Sequence, residues 1–150
     1  MKTHRLEREQ FLSHPVEQVF AFFAEARNLE HLTPAWLSFQ VLTPEPIEMR
    51  VGTLIDYRLR IHGLPLRWTS RIEEWVPGQA FIDRQLKGPY RVWNHRHSFE
   101  ARDGGTAVRD VVDYALPLGF AGEITHPLFV RRDLERIFAF RHQAVETLLA

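Results

Sequence analysis

Between Thr53 and Ile61 apolar and charged residues alternate, with Ile55, Tyr57, Leu59 and Ile61 on one parity and Asp56, Arg58 and Arg60 on the other. A period of two puts each set on its own side of a strand, so the segment predicts a sheet with one wet face. Nearer the start the period is helical: Val16, Val19, Phe20 and Phe23 recur at i, i+3, i+4 and i+7. This is the stripe of an amphipathic helix, with Ser13 placed to cap it and Pro15 in its first turn. A strand from His4 to Leu12 precedes the helix. A short helical piece, ARNLEHL, follows it and stops at Thr33-Pro34, because proline disfavours helix in the residue before it.

From Trp36 onward, turn residues mark off strands: Thr43-Pro44-Glu45-Pro46, Gly63-Leu64-Pro65, Pro77-Gly78, Gly88-Pro89 and Asp103-Gly104-Gly105. Six strands fit between these marks. The last element is a helix from Thr125 to Leu149 whose apolar positions Val130, Leu134, Ile137, Phe138, Val145 and Leu148 keep helical spacing. Arg141 falls on the same stripe, four residues after Ile137 and four before Val145. No repeat, linker or low-complexity stretch interrupts the pattern, so residues 1–150 read as one domain. An order of strand, two short helices, six strands and a long helix predicts an α+β fold, a curved seven-stranded antiparallel sheet gripping the C-terminal helix.

Composition narrows the partners. A chain of 150 residues with 45% hydrophobic content buries roughly 70% of its unfolded surface, enough for a core with a cavity. Lys plus Arg and Asp plus Glu both number 19, so no excess of positive charge tracks phosphates and nucleic acid is not an expected partner. The charged start has no apolar leader segment, and no run of about 18 apolar residues spans a bilayer, so a soluble cytoplasmic protein is expected. Cysteine is absent, which excludes disulfides, thiolate nucleophiles and Cys-ligated zinc. The pattern sets no oligomeric state.

The segments SHPVEQVFAFF, NLEHLTPAWLSFQVL, LRWTSRIEEW, FIDRQLKGPYRVWNHRHSFE, DVVDYALPLG and RIFAFRH, in this order, resemble the START/SRPBCC helix-grip superfamily, which includes birch-pollen-allergen-like proteins and polyketide cyclases. More narrowly they resemble the bacterial ligand-binding SRPBCC proteins. The resemblance implies the helix-grip fold with an internal cavity. For function it implies a small apolar or aromatic ligand, with or without a carboxylate.

The inner face carries unusual polarity. In the strand through GPYRVWNHRHSFE, Trp93, His95, His97 and Phe99 share one side. On the next strand Val108, Asp110, Val112 and Tyr114 form the more apolar side. A two-residue turn at Asp103-Gly104 sets His97 across from Asp110 and Trp93 across from Tyr114, and a turn at Gly104-Gly105 shifts the pairing by one inward position. Parity alone leaves FIDRQL open, and the resemblance implies that Asp83 and Gln85 face inward. Trp68 groups with Leu66 and Ile72 on the strand before. The candidate site is thus Asp83, Gln85, His95, His97, Asp110, Tyr114 and Arg141, walled by Trp68 and Trp93.

Three readings compete for it. The charged groups can satisfy one another as a structural network. They can fix the headgroup of a small ligand whose body lies on the aromatics. Or His95 and His97 with Asp110 can act as acid and base in a cyclisation, dehydration or isomerisation, with Tyr114 or Arg141 stabilising an enolate. His95 and His97 also have ligand spacing for a metal with Asp110 or Asp83. No cofactor motif is present and no stoichiometric metal is expected. The remaining histidines read as surface or cap residues.

Overall fold

The computed structural model describes residues 2–116 and 130–150. Strand β1 (His4–Leu12) leads into helix α1 (Val16–Ala24), a 3₁₀ turn (Ala26–Asn28), α2 (Leu29–Leu32) and a second 3₁₀ turn (Ala35–Leu37). Strands β2 (Gln40–Val41), β3 (Leu54–Ile61), β4 (Leu64–Val76), β5 (Ala80–Lys87), β6 (Val92–Arg102) and β7 (Gly105–Ala115) follow, then α3 (Arg131–Leu148). The seven strands form one sheet in the order β1-β7-β6-β5-β4-β3-β2, and each pairing is antiparallel. The sheet grips α3 in the α+β arrangement expected from the element order.

Local chemistry fixes the register. Asp103 and Gly104 have φ of 50° and 77°, the left-handed pair that a tight two-residue hairpin needs for its twist to match the strands. That turn sets His97 opposite Asp110 and Trp93 opposite Tyr114. A second such pair, His62 and Gly63, joins β3 to β4, so the turn lies one residue earlier than Gly63-Leu64-Pro65 suggests and Leu64 and Pro65 already belong to the strand. In β4 the pairing slips between Ile72 and Glu74. The extra residue reverses the parity, so Trp75 rather than Glu74 joins the core.

Two further expectations are corrected. Ser13 does not cap α1, because β1 runs to Leu12 and Pro15 occupies the cap position without a side-chain bond. On α3, Leu134, Phe138 and Val145 are buried, but Leu148 is 47% exposed and Leu149 is 8% exposed. The two leucines lie at similar angles on either side of the stripe. Leu149 is the C-cap residue, where the chain leaves the helix, and it turns into the core. The segment Thr125 to Phe129 of the expected helix lies outside the described residues.

One cluster is built of buried apolar side chains. Val19, Phe20 and Phe23 of α1 meet Phe81, Phe99 and Val108 of the sheet and Val145 and Leu149 at the end of α3. Each such side chain contributes about 1.5 to 3 kcal/mol on burial. A second cluster, around Trp93, Val112, Tyr114, Leu134 and Phe138, lies nearer the start of α3. On β6, His95 and His97 lie between Trp93 of the second cluster and Phe99 of the first.

Candidate functional site

Adjacent strands deliver the polar groups. Backbone register sets His95 beside Asp83 of β5 and His97 beside Asp110 of β7. The side chains cross this pattern. Nε2 of His95 reaches diagonally to Asp110 Oδ1 at 2.8 Å, and Nε2 of His97 reaches diagonally to Asp83 Oδ2 at 2.6 Å. A carboxylate only accepts, so each of these nitrogens carries the proton. The two imidazoles stack with centroids 3.7 Å apart, and Phe81 stacks on the far side of His97 at 4.1 Å. Nδ1 of His97 lies 3.5 Å from Asp110 Oδ1, and Nδ1 of His95 lies 3.9 Å from Asp83 Oδ2.

Arg141 enters from α3. Its guanidinium donates to Nδ1 of His97 at 3.5 Å and stands 3.9 Å from Asp110 Oδ1. It also rests over Phe23 at 5.3 Å and Phe138 at 6.0 Å, so part of its stabilisation is cation–π. Burial by itself would raise both carboxyl groups. For Asp110 the Arg141 charge and the His95 hydrogen bond outweigh burial and hold the group well below its ordinary value. For Asp83 the His97 hydrogen bond is the largest of the effects that do this, ahead of the charges of His95, His97 and Arg141. Burial, reinforced by His95, pushes His97 down to about 4, so it is neutral at pH 7. Two partly buried carboxylates thus face one partly buried guanidinium. The remaining negative charge is left for a proton or a cation to balance.

These groups open onto a cavity of about 160 Å³ between the sheet and α3. Trp68, Asp83, Trp93, His95, His97 and Arg141 line it, so most of the expected site comes together. Asp110 sits behind the histidines and instead borders, with Arg141, a polar cleft between β1 and α3. Gln85 is committed elsewhere: its amide donates to the Tyr90 carbonyl at 2.6 Å and accepts from the Tyr90 N–H at 3.1 Å. The reversal needs Gly88, where a Cβ would fall 2.5 Å from the Gln85 amide oxygen. Tyr114 is not among the residues that line the cavity: it is buried against Tyr90 and Trp93, with centroids 5.8 and 6.2 Å away.

The sequence reading missed Ser70, Tyr57, Tyr90 and Phe138 as cavity residues. Parity gave a signal for two of them. Tyr57 alternates with Ile55 and Leu59, and Ser70 is two residues from Trp68, whose indole N–H it accepts at 3.0 Å. Burial, with the nearby Asp83 charge, raises the Tyr57 phenol and keeps it protonated. Of the other histidines, His62 bonds Asp133 at 2.8 Å and His142 lies 3.4 Å from Glu146, both at the surface. His126 lies outside the described residues.

Residues 12–137 match the family described as polyketide cyclase/dehydrase and lipid transport. The chain belongs to this family. Solved structures agree on the fold. The Zhui aromatase/cyclase from a Streptomyces species superposes with a TM-score of 0.76 at 16% identity, over 97% of this chain and 93% of its own. Protein CV1439 from Chromobacterium violaceum gives 0.72 at 18% identity, over 99% and 97%. The major latex-like protein 151 from Panax ginseng gives 0.69 at 11% identity, over 97% and 96%. None of the curated proteins matches the chain in sequence. Among the described residues no helix is long and apolar enough to cross a membrane.

Proposed function

We propose that this member of the family binds a small, neutral, apolar or aromatic ligand in the cavity between the sheet and α3. The observation that carries the reading is an aromatic-walled space of about 160 Å³ with a few polar groups converging on one side. Its volume suits a one- or two-ring aromatic, since an apolar cavity of about 150 Å³ takes up benzene. The charge balance disfavours a carboxylate on the ligand, because the guanidinium of Arg141, the one arginine among the described lining residues, is already shared between Asp110 and His97. A hydroxyl, by contrast, can donate to Asp83 or to Nδ1 of His95, and a carbonyl can accept from the Tyr57 phenol, with no added charge. Titration with 2-naphthol and 2-naphthoate, read by tryptophan emission, tests this. Naphthol is expected to bind more tightly, with most of the response lost in Trp93→Leu. A preference for naphthoate, or no saturable binding of either, sinks the proposal.

A second reading, a cyclase- or dehydratase-type enzyme, draws on the bond between His95 and Asp110. A histidine held by a carboxylate and open to a ligand cavity is suited to moving a proton at a carbonyl-adjacent carbon. The aromatase/cyclase among the structural neighbours supports the class. Turnover separates the readings: conversion of a poly-β-keto substrate that disappears in His95→Gln favours the enzyme, and recovery of unchanged ligand favours the binder.

A further inference from the structure

Against the expectation of a metal-free network, we propose that Asp83, His95 and His97 form a binding site for a first-row divalent transition-metal ion. One ligand atom from each residue lies within 4.8 Å of the other two. The nearer pair, Asp83 Oδ2 and His97 Nε2, are 2.6 Å apart, and Asp83 Oδ2 and His95 Nδ1 are 3.9 Å apart. Adjacent ligands of an ion bound tetrahedrally at about 2.1 Å stand about 3.4 Å apart, so the set closes once the two stacked rings tilt toward a common point and the short Asp83–His97 contact opens. All three residues line the cavity, which gives the ion an entry route and leaves its open positions facing the apolar space.

Asp110 lies where a supporting carboxylate belongs. It accepts from Nε2 of His95, which fixes the tautomer whose Nδ1 lone pair faces Asp83. It is also 3.5 Å from Nδ1 of His97. Loading the ion moves the His97 proton from Nε2, now a ligand, to Nδ1, which ends the Arg141 donation to that nitrogen and lets it donate to Asp110. Both far nitrogens then rest on one carboxylate, the arrangement that orients metal-bound histidines. Charge points the same way. Among the described residues the fixed cation facing Asp83 and Asp110 is Arg141, whose guanidinium sits on the Asp110 side of the rings, and a divalent ion would meet the carboxylate that lies away from it. Two imidazoles and one carboxylate suit a borderline ion such as zinc or cobalt better than calcium or magnesium.

The test is titration of chelator-treated protein with Zn(II) by calorimetry and with Co(II) by visible absorption. One equivalent per chain is expected, lost in His95→Ala and in His97→Ala. Asp110→Asn should weaken affinity about 10- to 100-fold, and the surface variant His142→Ala should leave it unchanged. Absence of saturable uptake by the unmutated protein overturns the proposal whatever the variants do. So does uptake that persists undiminished in either cavity-histidine variant. Neither readout involves an organic ligand, so failure here leaves the naphthol result standing, and the reverse also holds.

Discussion

Strand β6 presents Phe99 and, two and four residues earlier, His97 and His95 on the same face, yet the two ends of that face are built on different principles. At the Phe99 end α1 brings Phe20 and Phe23 down onto Phe81 and Val108, and Phe20 meets Phe99 and Phe81 edge to face with centroids 5.2 and 6.1 Å apart. Stability there comes from filled volume. At the His95 end α1 no longer covers the sheet, α3 contributes Arg141, and the space is left partly open. Order is kept instead by hydrogen bonds among Asp83, Asp110 and the stacked histidines. A close-packed region responds to lost volume, and a polar region to lost partners. The open end is where a ligand can be accommodated without dismantling the core.

Substitutions can break this contrast. Phe99→Ala should have the largest effect, costing about 3 to 5 kcal/mol in denaturant melts, with naphthol affinity retained in whatever protein stays folded. A loss under about 1 kcal/mol would mean the closed end is not close-packed. Arg141→Met comes next, at about 3 kcal/mol, because it leaves Asp110 buried beside neutral groups. Adding Asp110→Asn should restore most of that. If the double variant is no better than the single, Arg141 acts through its contacts with Phe23 and Phe138 instead.

Acid should separate the two ends without mutation. In metal-free protein His97 is pushed down to about 4, whereas in the unfolded chain it titrates near about 6.5. Between these values the unfolded state takes up a proton that the fold refuses, so stability falls as pH drops. The contribution is full above about 6.5 and lost toward about 4, roughly 3 kcal/mol in all. The lowered Asp83 and Asp110 carboxyls add a further loss below the ordinary carboxylate range. Melts across this window should show a slope that His97→Gln flattens and Phe99→Ala leaves intact. The smallest effect is expected from Trp68→Phe, which removes the bond to Ser70 and should cost about 1 kcal/mol. It should weaken naphthol binding more than it lowers stability, and an effect on stability alone would remove Trp68 from the recognition surface.

Period and turn chemistry along the chain determined the element order and the inward parity of β3, β6 and β7, and narrowed the histidine strand to two alternative registers, of which the structure takes the one with the Asp103-Gly104 turn. These are local properties: φ preferences, alternation and helical spacing act over a few residues. The slip in β4 that turns Trp75 inward, the capture of Gln85 by Tyr90 and the choice of Leu149 over Leu148 were not legible, because each depends on groups that meet only after the sheet has formed. The same holds for the site. Parity put Asp110 across from His97, but the short bond goes to His95, since stacking of the two rings points each imidazole at the diagonal carboxylate. Alternation decides which face a side chain is on, and only packing in three dimensions decides which neighbour its nitrogen meets.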